Sequence, residues 1–185
     1  MTNKLVPVNK DAFSSGQVGS KLWLCKQLEN TDLYSKETAI YGGWYGVTAF
    51  LLLSRGKFNV EKIRSYDIDP ACEAVADMIN ENWVWQDWRF KAVTENCNTI
   101  QTAADLVINT STEHFASRDW WENIPAGTAV ALQGNNMQHD DHMSNANSLG
   151  EFCDQFPLAQ ELYRGELGFT YPDWSFARYM IIGIK

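Results

Sequence analysis

Apolar positions recur along the chain with two alternating periods, and the alternation predicts strands and helices in turn. From Gly16 to Glu29, Val18, Leu22, Cys25 and Leu28 fall on one helical face, with Lys21, Lys26 and Glu29 elsewhere. Thr38 to Tyr41 reads as a buried strand ending in Gly42-Gly43, and Val47 to Ser54 as a helix stopped by Arg55-Gly56-Lys57. Ile63 to Asp67 is a second strand. Asp69 is then a helix cap and Pro70 a first-turn proline, opening a helix with Ala71, Val75, Met78 and Ile79 as its apolar face. Arg89 to Val93 and Ala104 to Asn109 give strands three and four, followed by a polar loop and a short helix near Arg118 to Asn123. The turn Pro125-Ala126-Gly127 announces a fifth strand, Thr128 to Gln133. Ser148 to Phe156 is a helix with Ser148 at its cap and Glu151 completing a capping box. Glu161 to Phe169 and Phe176 to Ile184 flank Tyr171-Pro172-Asp173 and read as an antiparallel pair.

Alternating strands and helices closed by a hairpin imply an α/β fold: a doubly wound, mostly parallel sheet with helices on both faces. Ligands bind such sheets outside the carboxyl ends of the strands, near the switch point. The expected organisation is one domain over residues 1–185, with residues 1–15 as an N-terminal extension.

Composition narrows the field of partners. The chain has 185 residues, 45% of them hydrophobic, which suffices for a core without staples. Its 15 basic and 23 acidic residues give a net charge of −8, which argues against nucleic acid and anionic membranes as partners. Cys25, Cys72, Cys97 and Cys153 show no CxxC spacing, so reduced, buried thiols are expected. Met1 to Asp11 has no apolar leader-like core, and the longest apolar run, Val47 to Leu53, is broken by Thr48. A soluble, cytoplasmic protein acting on a small molecule is expected; the oligomeric state stays open.

Two features place a ligand at the strand ends. Tyr41-Gly42-Gly43-Trp44-Tyr45-Gly46 lies between strand one and its helix, where glycines allow a sharp turn and the helix N-terminus offers free N–H donors. Asp67 ends strand two, where a carboxylate can accept from both hydroxyls of a ribose. Together they suggest an adenosine-containing ligand.

With Ile40 to Gly46, Ser65-Tyr66-Asp67-Ile68-Asp69-Pro70 and Ala104 to Asn109, the chain resembles class I S-adenosylmethionine-dependent methyltransferases over nearly its whole length. Within them it is most similar to short, single-domain proteins with an Asn-Thr-Ser-x-Glu-His loop. The resemblance implies a Rossmann-like seven-stranded sheet and S-adenosylmethionine as cofactor. By it, Gly42, Gly43, Trp44 and Gly46 line the methionine and ribose side, Asp67 binds the ribose and Ile68 packs on the adenine. Glu95 and Asn96 lie near the adenine edge. Two positions depart from the family: Ile40 replaces an acidic residue, and Trp44 replaces the middle glycine and narrows the pocket. Gln17 and Lys21 on the first helix are the substitutes for contacts to the cofactor carboxylate.

The loop Asn109-Thr110-Ser111-Thr112-Glu113-His114 gathers an amide, hydroxyls, a carboxylate and an imidazole after strand four. Asn109 is expected to touch the cofactor or orient a nucleophile, with Ser111 beside it and Glu113 or His114 as base. His142 is a second polar group for the substrate, and Asn135 and Asn136 are hydrogen-bonding candidates. His139-Asp140-Asp141-His142 offers metal-ligand types, but one loop seldom turns four side chains to one point, so no metal is expected of it. Eight tryptophans mostly fill space, though one of them with Tyr163 is also readable as a substrate wall. N- or O-methyl transfer to a small molecule is the leading function. Its rivals are another reaction of the same sulfonium and a non-catalytic binding protein. A nicotinamide-linked oxidoreductase ranks lower, because GxGxxG spacing is absent.

Overall fold

The computed structural model describes residues 8–185, so the expected extension over 1–15 lies outside the described residues up to position 7. Strands β1 (Tyr34–Tyr41), β2 (Asn59–Asp67), β3 (Phe90–Thr94), β4 (Leu106–Asn109), β5 (Ala129–Asn135), β6 (Gln160–Thr170) and β7 (Ser175–Ile184) form one sheet. Its order is β3-β2-β1-β4-β5-β7-β6. The first five are mutually parallel, and β7 runs antiparallel to both β5 and β6. The Rossmann-like α/β sheet of seven strands with a C-terminal hairpin is therefore present as expected. Chain order reverses between β1 and β4, which sets the ligand end at the carboxyl ends of β1, β2, β4 and β5.

Helices α1 (Ser15–Glu29), α2 (Val47–Arg55), α3 (Pro70–Ile79), α4 (Glu81–Val84), α5 (Asp119–Glu122) and α6 (Leu149–Gln155) flank the sheet. Local chemistry sets their ends. The Ser14 hydroxyl accepts from the Gln17 N–H at 3.3 Å, and the Asp69 carboxylate accepts from Ala71 at 2.9 Å. Gly56, at φ 59°, ends α2 in the left-handed region. At α6 the capping box is half made: Ser148 accepts from Glu151 N–H, but the Glu151 carboxylate returns to Asn147.

Alternation along each strand divides the core into two layers. Ile40, Ile63, Ile108, Met180 and Ile182 point to one face, against Leu24 and Leu28 of α1 and Leu52 and Leu53 of α2. Tyr41, Val107, Val130, Leu132 and Ile181 point to the other, against Trp120, Trp121, Phe152 and Phe156. β4 and β5 are buried along their whole lengths, as parallel strands covered on both faces must be.

Two helix faces differ from expectation. α1 buries Lys21, Leu24, Cys25 and Leu28 while Leu22 is exposed, because the helix turns its polar Lys21 toward the ligand end of the sheet. α3 buries Cys72, Val75 and Ala76 and leaves Ala71 and Met78 exposed, since Cys72 and Val75 close a small cluster with Ala12 and Tyr45. All four cysteines are free thiols. No helix among the described residues is long and apolar enough to cross a membrane.

Candidate active site

A cavity of about 710 Å³ opens at the carboxyl ends of the parallel strands. One wall is the turn between β1 and α2. Gly42 (φ 61°), Trp44 (φ 46°) and Gly46 (φ 70°) occupy the left-handed region, which an L-residue such as tryptophan seldom enters. Hydrogen bonds hold the turn against β2: Gly43 N–H donates to the Tyr66 carbonyl at 2.9 Å, and Trp44 N–H to Asp67 Oδ2 at 2.8 Å. The other Asp67 oxygen accepts from Asp69 N–H at 3.0 Å. A carboxylate has about four acceptor sites, so Asp67, which lines the cavity, keeps capacity for a ligand's hydroxyls. Ile68 beside it is 69% exposed, an apolar surface ready to cover a flat ring.

The glycines have separate reasons. A Cβ on Gly42 would stand 2.7 Å from Ser111 Oγ, and one on Gly43 would stand 1.9 Å from Ser65 Oγ. Gly46 does not line the cavity; a Cβ there would meet Asn80 Nδ2 at 2.6 Å, so it is a packing glycine between α2 and α3.

The second wall comes from the loops after β4 and β5, with β7 behind them. Glu113 is buried, and its Oε1 accepts from the Asn135 amide and lies 3.6 Å from an Arg178 guanidinium nitrogen. Its Oε2 has no hydrogen-bond partner, and neither does Arg178 Nε. The Nδ1 atoms of His114 and His142 lie 3.1 Å and 2.8 Å from the carbonyls of Asp141 and Met137. Carbonyls only accept, so each Nδ1 carries a hydrogen, and in the neutral ring the lone pair is on Nε2. The two rings meet edge to face, 4.8 Å between centroids.

α1 contributes a buried cation. Lys21 Nζ donates to Gln17 Oε1 at 2.6 Å, and both residues line the cavity. Burial above all, and then the Arg178 cation, bring the Lys21 ammonium down from 10.5 to about 8, against the smaller opposing pull of Glu113 and Asp11. The cavity thiols Cys72 and Cys97 go the other way; burial raises both to about 12, so neither is a thiolate nucleophile.

Of the residues singled out in the sequence, Gln17, Lys21, Gly42, Gly43, Trp44, Asp67, Ile68, Asn96, Ser111, Glu113, His114 and His142 share this one cavity. Gly46, Glu95 and Asn109 stand outside its lining. Asn109 is fully buried, and its Oδ1 accepts from Ser111 N–H at 2.9 Å, shaping the loop behind the cavity. Asn135 and Asn136 are engaged within the protein: Asn135 with Glu113 and Met137 N–H, Asn136 with Ala177 N–H at 2.8 Å. Tyr163 belongs to the core beside Trp23, whose Nε1–H it accepts at 3.2 Å, and is no cavity wall; Trp44, Tyr45 and Phe115 are the aromatic walls instead.

Arg178 escaped the sequence reading. Its signal is a lone cation in the otherwise apolar run Phe176 to Ile182, where a strand buried on both sides tolerates a charge only if it is partnered. Asp11 and Asn9, on the segment before α1, also reach the cavity.

No family model matches the chain, and no curated protein matches it in sequence. Solved structures do match it in shape. The N-methyltransferase NodS of Bradyrhizobium japonicum WM9, in complex with S-adenosyl-L-homocysteine, superposes with a TM-score of 0.70 at 12% identity, over 98% of this chain and 93% of that one. The magnesium protoporphyrin IX methyltransferase ChlM of Synechocystis PCC 6803, with bound S-adenosylmethionine, gives 0.68 at 9% identity, over 96% and 85%. A protein described as a putative sarcosine dimethylglycine methyltransferase, from Galdieria sulphuraria, gives 0.66 at 12%, over 91% and 86%. The chain has the fold of the class I S-adenosylmethionine-dependent methyltransferases.

Proposed function

We propose that this protein is an S-adenosylmethionine-dependent methyltransferase acting on a small molecule through N- or O-methyl transfer. The observation that carries the reading is the convergence of the glycine turn, Asp67, exposed Ile68 and the buried cations Lys21 and Arg178 on one cavity at the switch point. This set fits the cofactor part by part. Asp67 accepts from the ribose hydroxyls while its backbone partners hold it in place. Ile68 covers the adenine, with Asn96 at its edge. Lys21 and Gln17 receive the carboxylate; an anion there offsets the burial that depresses the Lys21 ammonium.

When bound, the cofactor supplies an electrophilic methyl carbon on sulfur. The chain's own residues orient the two reactants, exclude water and manage one proton. Trp44 and Tyr45, stacked at 5.1 Å between centroids, bound the space on the turn side. Glu113, His114 and His142 form the polar wall at which the acceptor loses its proton. Arg178, behind that wall, favours a substrate with an anionic group near its nucleophile.

The test is product analysis after incubation with S-adenosylmethionine and mixed small amines, phenols and hydroxy acids. S-adenosylhomocysteine formed in step with a methylated product is expected. Methylthioadenosine, or no turnover with any acceptor, would overturn the reading.

A further inference from the structure

The loops after β4 and β5 bring together three groups that the sequence keeps 29 positions apart at the extremes: Glu113, His114 and His142. One donor atom from each lies within 4.8 Å of the others. We infer that these three side chains form a binding site for one divalent first-row transition ion, of the Zn²⁺, Co²⁺ or Fe²⁺ kind.

Three independent features point to an ion rather than to a hydrogen-bonded polar patch. The first is the orientation of the imidazoles. The Nδ1–H of His114 donates to the Asp141 carbonyl and that of His142 to the Met137 carbonyl, so in the neutral ring the free lone pair is on Nε2. Backbone carbonyls behind a histidine in this manner are the outer support that metal-binding imidazoles use to fix tautomer and ring angle. The second is Glu113. Its side chain is 97% buried, its Oε1 is held by the Asn135 amide and faces Arg178, and its Oε2 has no partner among the described residues. A buried carboxylate oxygen without a donor is costly, and a cation at that oxygen removes the cost. The third is spacing. Donors bound at about 2.1 Å stand at most about 4.2 Å apart, and these atoms already lie within 4.8 Å of one another, so a shift of a few tenths of an ångström closes the set.

The ligand set selects the metal class. Two imidazoles and one carboxylate suit borderline first-row ions, whereas Mg²⁺ and Ca²⁺ prefer all-oxygen shells. Three protein ligands leave coordination positions open toward the cavity, as in sites that bind a substrate atom directly. Arg178 and Lys21 face the same carboxylate from β7 and α1; Arg178 lies on the Oε1 side, which leaves Oε2 for the ion. The sequence predicts no metal, and the ligand types it offers together are His139, Asp140, Asp141 and His142 in one loop. The folded chain instead brings one of these residues, His142, together with two from the neighbouring loop, while His139 Nδ1 accepts from the Asp141 N–H at 3.2 Å.

The site stands on its own geometry, so metal and cofactor titrations on the full chain, done separately, distinguish its failure from that of the methyl-transfer reading. The probe is Co²⁺ alone, added to metal-free protein and followed by calorimetry and visible absorption. One Co²⁺ per chain is expected, with d–d bands and no thiolate charge-transfer band, displaced by Zn²⁺ and not by Mg²⁺. H114A and H142A, both at accessible positions, each weaken Co²⁺ at least about tenfold with unchanged far-ultraviolet dichroism, while H139A leaves it within about twofold. Absence of stoichiometric Co²⁺ binding, or binding that survives in the H114A/H142A double variant, would overturn the assignment.

Discussion

Lys21 offers the sharpest energetic test of the cavity. It sits on α1 at 7% exposure, with Gln17 as its hydrogen-bond partner and Arg178 as a like charge nearby. Replacing it with methionine keeps the length of the stem and removes the charge. In the unfolded chain the ammonium titrates near its ordinary 10.5, and in the folded chain at about 8. Below pH 8 both states hold the proton, and the folded state bears the whole burial cost. At about 1.4 kcal/mol for each tenfold change in proton affinity, that cost is about 3 kcal/mol. Between about 8 and 10.5 the unfolded chain keeps a proton that the folded chain has released, so this group makes stability rise with pH across that window. The lost hydrogen bond to Gln17 works the other way, by about 1 kcal/mol. K21M is therefore expected to be more stable than the parent by about 2 kcal/mol near pH 7, with the gap closed near pH 10. Urea unfolding of both proteins without ligand, at the two pH values, measures it. The thiols of Cys25, Cys72 and Cys97, raised to about 12 by burial, weaken the folded state at alkaline pH, but equally in both proteins, so they cancel in the difference. A gap independent of pH, or a parent more stable than K21M near pH 7, would refute the reasoning. The same variant should bind a carboxylate-bearing cofactor at least about tenfold more weakly, because the charge whose removal stabilises the protein is the one proposed to receive the anion.

Other substitutions test other parts. D67A removes the acceptor for Trp44 N–H, for Asp69 N–H and for the proposed ribose, and should weaken S-adenosylmethionine more than about tenfold in a calorimetric titration. G43A forces a Cβ against Ser65 and should lower stability by about 1–3 kcal/mol in thermal unfolding, with S65A restoring part of the loss. W120A empties the centre of the α5–α6 layer, where Trp120 contacts Tyr41, Phe115 and Phe156, and should cost about 3–5 kcal/mol by urea unfolding.

Strand positions were readable because a strand buried on both faces leaves a continuous apolar run, as at Leu106 to Ile108, and because Asp69-Pro70 and Arg55-Gly56 punctuate helices by local chemistry. Helix faces were less readable. The period of α1 allows several stripes, and the one used depends on Lys21 facing the cavity, a tertiary fact with no local trace. The sequence pattern ends β5 two residues short, because Gly134 and Asn135 look like loop residues. In the fold, Gly134 lies under Phe152 and Thr112, where a Cβ would stand 2.6 Å and 2.8 Å away, and Asn135 is held by Glu113. The β1–α2 turn and the Asp67 strand end are visible as motifs because each is contiguous in sequence. The union of Glu113 and His114 with His142, and the approach of Arg178 from β7, depend on which strands are neighbours in the sheet.

The most direct measurement is calorimetric titration of the purified protein with S-adenosylmethionine and S-adenosylhomocysteine, with NADH as control. Micromolar binding of both sulfur ligands, abolished or strongly weakened by D67A, and no heat from NADH is the expected result. An absence of binding to either sulfur ligand would reduce the Gly42 to Gly46 turn to a packing device and contradict the proposed methyl transfer.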